Sequence, residues 1–416
     1  MKPFIIKSCF LLLLLCNSPY VFSQTNKIEL KKDCKGTRIR IDGKDFFIKG
    51  MNWDYYPIGT NYEYILWNKP ESFIREALDS EMLLLKNMGV NAIRVYTGIP
   101  PEWITYVYKQ YGIYTMLNHT FGRYGLTVDG QWVANTDYAN PKVENILLGE
   151  ITMLAQKYKD TEGLMLFLIG NENNYGLFWE GAETENIPAE NKMSTERAVN
   201  MYKLFNKAAL TIKSIDKNHP VAICNGDLLF LDIIARECKA FDIFGTNIYR
   251  GVSFGDTFRK VKKEYGKPVL LTEFGADAYN VKDKKEDANA QANCLKQNWK
   301  EIYENVAGAG QAENCLGGFT FQFSDGWWKY DQTYRLDIHD TTASWSNGGY
   351  QNDYTKNEPN MNEEWFGICA KGQTDQRGHY TLFPRAAYYT LKNLLTLDPF
   401  SKRTSLKTIH QHFDNN

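Results

Sequence analysis

The chain predicts an α/β fold, a (β/α)8 TIM barrel with an N-terminal β-hairpin and long βα-loops after strands 4 and 8. Three observations carry that prediction. Short strand-like runs alternate with helix-like ones along the chain, the pattern of βα units around a parallel sheet. Two of the strand-like runs, Leu164-Met165-Leu166-Phe167-Leu168-Ile169 and Pro268-Val269-Leu270-Leu271, are apolar throughout, as befits strands buried on both faces. No glycine-rich phosphate turn follows the first strand, as an open doubly wound sheet would require.

The elements follow in order. Arg38-Ile39-Arg40-Ile41 alternates, Asp42-Gly43 supplies a hairpin turn, and Phe46 to Ile48 returns. Lys49-Gly50-Met51-Asn52-Trp53 ends strand one, and Glu71 to Met88 forms a helix with Ile74, Leu78, Leu84 and Leu85 among its apolar positions. Asn91 to Tyr96 is strand two and Tyr114 to His119 strand three. Val143 to Tyr158 is helical, and the next apolar run, strand four, leads to Glu172. Thr195 to Ile215 is helical, Val221 to Asn225 strand five, Phe241 to Tyr249 strand six, Val269 to Glu273 strand seven and Gly318 to Phe323 strand eight. A helix over Pro384 to Leu397 closes the barrel. Two segments leave strand ends as long loops, Asn173 to Ser194 and Asp325 to Ala370. Loops of that length in a compact domain tend to carry function. The expected division is a signal peptide over 1–23, the barrel over 24–400 and a loosely held tail over 401–416.

The signal peptide rests on Lys2 and Lys7, the apolar run Phe10 to Leu15, and Val21-Phe22-Ser23 before Gln24. The expected location is therefore secreted or periplasmic. Bulky Leu15 before Cys16 argues against a lipid anchor there, and the apolar run is too short to span a bilayer. With 43% hydrophobic and 23% charged residues and a formal net charge of −1, nothing favours nucleic acid or an anionic membrane as partner. Six cysteines beyond the leader admit 15 pairings, which sequence does not choose between. No CxxC or His/Cys cluster suggests a metal, and no cofactor is implied. The 10 Trp and 26 Tyr are abundant, and many fall in polar stretches. Rings at strand ends suit sugars, whose C–H faces pack on aromatic surfaces.

The chemistry-bearing residues cluster at strand ends. Glu172 and Glu273 end strands four and seven, where the βα-loops of a barrel begin and active sites form. One carboxylic acid and one carboxylate on separate strands are what retaining glycoside hydrolysis uses. Arg94, in Ala92-Ile93-Arg94-Val95-Tyr96, and Tyr249 can support an ionised Glu273. Glu172 then needs its pKa raised by a neighbouring charge roughly 5 Å away. Each residue alone has an ordinary structural reading: a salt-bridge partner for Arg94, a barrel cap for Tyr249 or Trp327, a buried neutral imidazole for His119. Together, in order around the strands, they point to catalysis.

With Asn171-Glu172 at the end of strand four, Glu273 at the end of strand seven and Trp327-Trp328 after strand eight, the chain resembles the clan of retaining (β/α)8 glycoside hydrolases over about residues 37–397. The resemblance implies Glu172 as acid/base, Glu273 as nucleophile, and Asn171 on the substrate 2-hydroxyl. Among families the chain is similar to the catalytic barrel of family 2, without that family's accessory β-sandwiches. It is also similar to β-1,3-glucanosyltransferases at Ile48-Lys49-Gly50 and Asn91 to Tyr96. The resemblance implies a β-linked glycan as substrate, most of all a β-glucan, with hydrolysis and transglycosylation both open. Arg94, Asn171, Tyr249, Trp327, His119 and Trp53 are the candidate substrate-binding residues. Asp54, Asn118, Asn225, Asp325 and Glu364 are weaker candidates. A different class, a glycan-binding barrel without catalysis, is the competing expectation.

Overall fold

The structure is a computed structural model that describes residues 26–177, 192–346, 350 and 352–416. The leader and most of the loop after strand four, including Phe178 and Trp179, lie outside the described residues. Eight parallel strands close a barrel in sequence order: Ile48–Asn52, Ala92–Tyr96, Tyr114–His119, Leu164–Ile169, Val221–Gly226, Ile243–Asn247, Val269–Phe274 and Cys315–Thr320. They are called strands one to eight below. Helices Glu71–Met88, Pro101–Tyr111, Pro141–Tyr158, Lys192–Ile215, Leu231–Glu237, Thr257–Glu264, Ala288–Glu304 and Ala386–Leu394 follow the strands in turn.

Sequence chemistry explains the punctuation. Pro101 and Pro141 open their helices at the first turn, where a missing N–H costs nothing. Gly89 and Gly112 end theirs in the left-handed conformation that glycine adopts without a Cβ clash. In the hairpin turn both central residues, Asp42 at φ 50° and Gly43 at φ 78°, have the positive φ of a tight two-residue connection.

The hairpin is the centre of a larger unit. Ile28–Asp33 pairs with Gly36–Ile41, which pairs with Lys44–Phe46. The first of these strands was not anticipated. Ile28, Ile39 and Ile41 pack in one buried cluster with Tyr114, Met116 and Ile243 from the strand starts. This sheet plugs the N-terminal mouth of the barrel, leaving the C-terminal mouth for chemistry.

Alternation then decides which side chains reach that mouth. On strand two Ala92 joins the interior cluster while Ile93 and Val95 face the helices. The two-residue period therefore sends Arg94 inward. On strand three Tyr114 and Met116 are interior, Leu117 exterior, so Asn118 points in and His119 points out. Strand seven breaks the rule usefully. Its register slips between Thr246 and Asn247, so that Asn247 pairs with Glu273 and Thr272 is the extra residue of a bulge. A bulge re-aims the side chains that follow it, and here both Thr272 and Glu273 face the barrel interior. Gly275 comes next because a Cβ there would lie 2.2 Å from the Phe321 carbonyl oxygen.

Two expectations change. Strand eight runs Cys315–Thr320, three residues earlier than expected, since Cys315 already pairs with Val269. The segment after Ser401 is a helix, Leu406–Asn415, rather than a loose tail. Ser405 caps it by accepting from the Thr408 N–H at 3.3 Å. Ile409 and Phe413, one turn apart, are fully buried, and Phe413 packs against Tyr303. None of the six described cysteines is in a disulfide, and only Cys34 of them is exposed.

Candidate active site

Arg94 organises the C-terminal mouth. Its guanidinium is buried, and one nitrogen donates to Glu273 Oε1 at 2.6 Å and to the Thr272 carbonyl at 3.2 Å. The other terminal nitrogen donates to Asn171 Oδ1 at 2.8 Å, and Nε donates to Asn118 Oδ1 at 3.0 Å. Asn118 is fixed in turn by donating to the Leu168 and Gly170 carbonyls. Strands two, three, four and seven are thus tied through one cation. The second oxygen of Glu273 accepts from the Tyr249 hydroxyl at 3.0 Å. Burial and the Glu273 charge push the Tyr249 pKa well above its ordinary value, so the phenol stays protonated and donates. Glu273 is 7% exposed, held by two donors and open to the mouth.

Glu172 occupies different surroundings. After strand four the chain turns through Gly170 at φ 86° and Glu172 at φ 58°, the left-handed region that a glutamate enters at a cost of order 1 kcal/mol. The Glu172 N–H donates to the Cys224 carbonyl at 3.2 Å, and the Asn171 N–H to Asn173 Oδ1 at 2.8 Å, which hold the turn. Burial raises the Glu172 pKa, the Glu273 charge raises it further, and Arg123, Asn247 and Arg94 oppose the rise; the net result is about 8. One carboxyl therefore carries a proton near neutrality while the other is held by a guanidinium and a phenol. Such a split of roles between two carboxyls is how one site runs both acid and nucleophilic chemistry.

Asn171 is locked from both ends. Its carbonyl accepts from Arg94 and from Asn247 Nδ2 at 3.2 Å, and its amide donates to the Tyr124 hydroxyl at 2.7 Å. Asn247 Oδ1 accepts from Thr272 Oγ1 at 2.7 Å, and the buried Cys224 thiol lies beneath, 3.3 Å from the same oxygen.

The structure brings Arg94, Asn171, Glu172, Tyr249 and Glu273 together, with Asn118. Two expected contributors lie elsewhere. His119 faces the surrounding helices, its Nε2 3.3 Å from Glu150 and its Nδ1 accepting from the Phe121 N–H; strand alternation sent it outward. Trp53 is buried behind the barrel wall, its indole donating to Glu81 at 2.6 Å, because Asn52 takes the inward place. Trp327 stacks on His339 at 4.5 Å, and His339 stacks on Trp365 at 3.7 Å. Asn225 accepts from Tyr202 behind strand five. Asp325 is clamped by Arg385, and Glu364 ties the loop after strand eight by accepting from the Tyr330 and Asp340 N–H groups.

Residues that the sequence did not single out complete the mouth. Tyr96 lies over Arg94, and Tyr124 reaches Asn171. Trp345 comes from the long loop after strand eight and meets the Tyr249 ring edge-on at 5.3 Å, backed by buried Phe366. Asn247 carried a signal, two residues before Tyr249 on the inward parity, and Trp345 a weak one, an aromatic in the long polar loop after strand eight; Tyr124 carried none. Among the described residues no group of three His, Cys, Asp or Glu is placed to hold a metal ion.

A barrel with two carboxyls in unlike surroundings at the ends of strands four and seven defines the glycoside hydrolase class of site. The chain belongs to glycosyl hydrolase family 2: the profile described as "Glycosyl hydrolases family 2, TIM barrel domain" matches residues 33–339. Solved structures with the same fold include a β-D-glucuronidase from Dictyoglomus thermophilum at TM-score 0.55 and 16% identity. Others are a β-galacturonidase from Eisenbergiella tayi at 0.55 and 17%, and a β-glucuronidase from Bifidobacterium dentium at 0.54 and 16%. The alignments cover 91%, 91% and 89% of this chain but 55%, 55% and 49% of those chains, so it spans about half their length. No curated protein matches the chain.

Proposed function

We propose that this protein is a retaining β-glycosidase that acts on β-linked glycan by double displacement. The observation that carries the reading is the unequal pair: Glu273 accepts from Arg94 and Tyr249, while burial and the Glu273 charge raise the Glu172 pKa to about 8. Glu273 attacks the anomeric carbon while Glu172 protonates the departing oxygen. Forming the glycosyl ester removes the Glu273 charge. The Glu172 pKa then falls, and it can deprotonate the incoming water or sugar hydroxyl. Tyr249 follows the nucleophile through the step, and Asn171 holds the sugar 2-hydroxyl, a bond that strengthens in the transition state.

For the substrate we put β-glucan first, on the glucanosyltransferase-like segments around strands one and two. A second reading is a β-uronide, the substrate type in the names of the structural relatives. Lys329 favours it: its ammonium lies 4.5 Å from the Trp328 ring and 5.2 Å from Phe321, whose ring contacts Tyr249. A cation on that wall suits a sugar carboxylate. Export follows from the leader, and transfer to an acceptor sugar uses the same residues as hydrolysis.

The test is product analysis on β-glucans, mannans and aryl β-glycosides including glucuronide and galacturonide, wild type beside Glu273→Ala, with the first anomer read by NMR. Release of β-anomer that is lost in the variant supports the pair and names the substrate. An inverted product, or activity that survives in Glu273→Ala, overturns it. A non-catalytic binder would show ligand affinity unchanged in Glu273→Gln and no turnover in either protein.

A further inference from the structure

We propose that the Tyr124 hydroxyl contacts the 2-substituent of the sugar held against Glu273, and that with Asn171 it selects glycosides carrying a free equatorial 2-hydroxyl. The inference rests on the glycosidase reading and deepens it to a sugar configuration.

Both sides of the Asn171 amide are assigned. Arg94 and Asn247 donate to its carbonyl, so the NH2 group faces the mouth. One of its hydrogens goes to the Tyr124 oxygen at 2.7 Å, which leaves one N–H for a ligand. Tyr124 accepts there, and its own O–H has no acceptor among the described residues. Two unspent donors thus stand side by side, next to the carboxyl that is to attack the anomeric carbon. A hydroxyl on the adjacent sugar carbon is the acceptor that would lie there in the reacting complex.

Tyr124 is placed for this by a braced loop. Its residue is 58% exposed, yet its hydroxyl end lies among buried charges. Burial, opposed by Arg123 and reinforced by Glu172 and Glu273, pushes its pKa up to about 12; the phenol keeps its proton. Gly125, at φ 99°, allows the chain to pass the Trp132 indole, where a Cβ would come within 2.7 Å. Asn173 joins this loop to the catalytic turn, donating to the Thr120 and Phe121 carbonyls while accepting from the Asn171 N–H. Tyr124 and Asn171 therefore keep a fixed spacing. An axial 2-hydroxyl would leave both donors unmet, and a bulky 2-acetamido group would meet the phenol. Sites whose polar groups are left unpaired by the wrong substrate discriminate strongly.

The test compares Tyr124→Phe with wild type on the preferred aryl β-glycoside, its 2-deoxy analogue and its 2-epimer. The proposal expects kcat/KM to fall about tenfold on the parent, in line with loss of one hydrogen bond, to stay unchanged on the 2-deoxy analogue, and the preference over the 2-epimer to narrow. Equal losses on parent and 2-deoxy analogue would mean a merely structural tyrosine and would overturn the contact. So would no loss on either. Wild type inactive on every glycoside would instead sink the glycosidase reading, and this inference with it.

Discussion

Two buried arginine–carboxylate pairs stand near the barrel mouth, and they are built differently. Arg385 meets Asp325 end-on, its two terminal nitrogens donating at 2.7 and 2.8 Å to the two oxygens. Asp325 also accepts from the Gly367 N–H, and Arg385 also donates to the Gly367 carbonyl and to Glu286. Arg94 meets Glu273 with one nitrogen, and the second carboxylate oxygen turns to Tyr249. The side chain of Asp325 is 1% exposed, that of Glu273 9%. A forked pair with its valences filled is a clamp for the long loop after strand eight. A split pair holds its carboxylate by two separate donors without enclosing it, as a nucleophile requires.

If that contrast holds, the two pairs should fail in opposite ways. Glu273→Gln should abolish turnover, by at least about 10³-fold in kcat, while circular dichroism stays native. Asp325→Asn should do the reverse. Leaving Arg385 buried against a neutral partner costs about 3–5 kcal/mol, to be read as a lowered denaturation midpoint with the activity of the folded fraction retained.

Glu172 sharpens the comparison through pH. Its folded pKa of about 8 lies above its ordinary value. The proton is therefore held more tightly in the folded state, and the stability it contributes is complete below about pH 4.5. That contribution is lost as pH rises through 8. Glu172→Gln should thus gain stability relative to wild type across this window, followed by denaturant titration at several pH values. The wild-type pH–activity profile should have an alkaline limb near 8. In Glu172→Gln the limb should vanish, with kcat down about 10² to 10⁴-fold on poor leaving groups. A limb that persists in the variant would assign the titration to another group.

The smallest effect belongs to Trp345, which only backs Tyr249. Trp345→Ala removes its ring contacts with Tyr249 and Phe366, each worth about 0.5–1.5 kcal/mol. It should raise KM severalfold with kcat nearly unchanged. A collapse of kcat instead would show that the ring positions Tyr249 for chemistry.

The barrel was legible because apolar runs and turn residues mark its strands one by one. Glu172, Glu273, Asn171 and Tyr249 were legible because each lies at or just past a strand end, and Arg94 because a charge interrupts an otherwise apolar strand. His119 and Trp53 were misplaced by one step of strand parity, a distinction that needs the register of the neighbouring strands. Tyr124 left no trace in the sequence, since loop folding alone brings it to the mouth, and Trp345 was marked only as one ring among many in the long loop after strand eight. The bulge at Thr272, which turns Glu273 inward, follows from pairing with strand six and from no local pattern. The last helix had readable signals, a Ser405 cap with Ile409 and Phe413 one turn apart, outweighed by their place at the chain end.

The most direct test of the central claim is to trap the intermediate. Wild type incubated with a 2-deoxy-2-fluoro aryl β-glycoside of its preferred sugar, then digested and mapped by mass spectrometry, should carry one fluorosugar on the peptide containing Glu273 and none on that containing Glu172. A label on Glu172 or Glu364, or turnover by an enzyme that never forms a covalent adduct, would contradict the assignment of Glu273 as nucleophile.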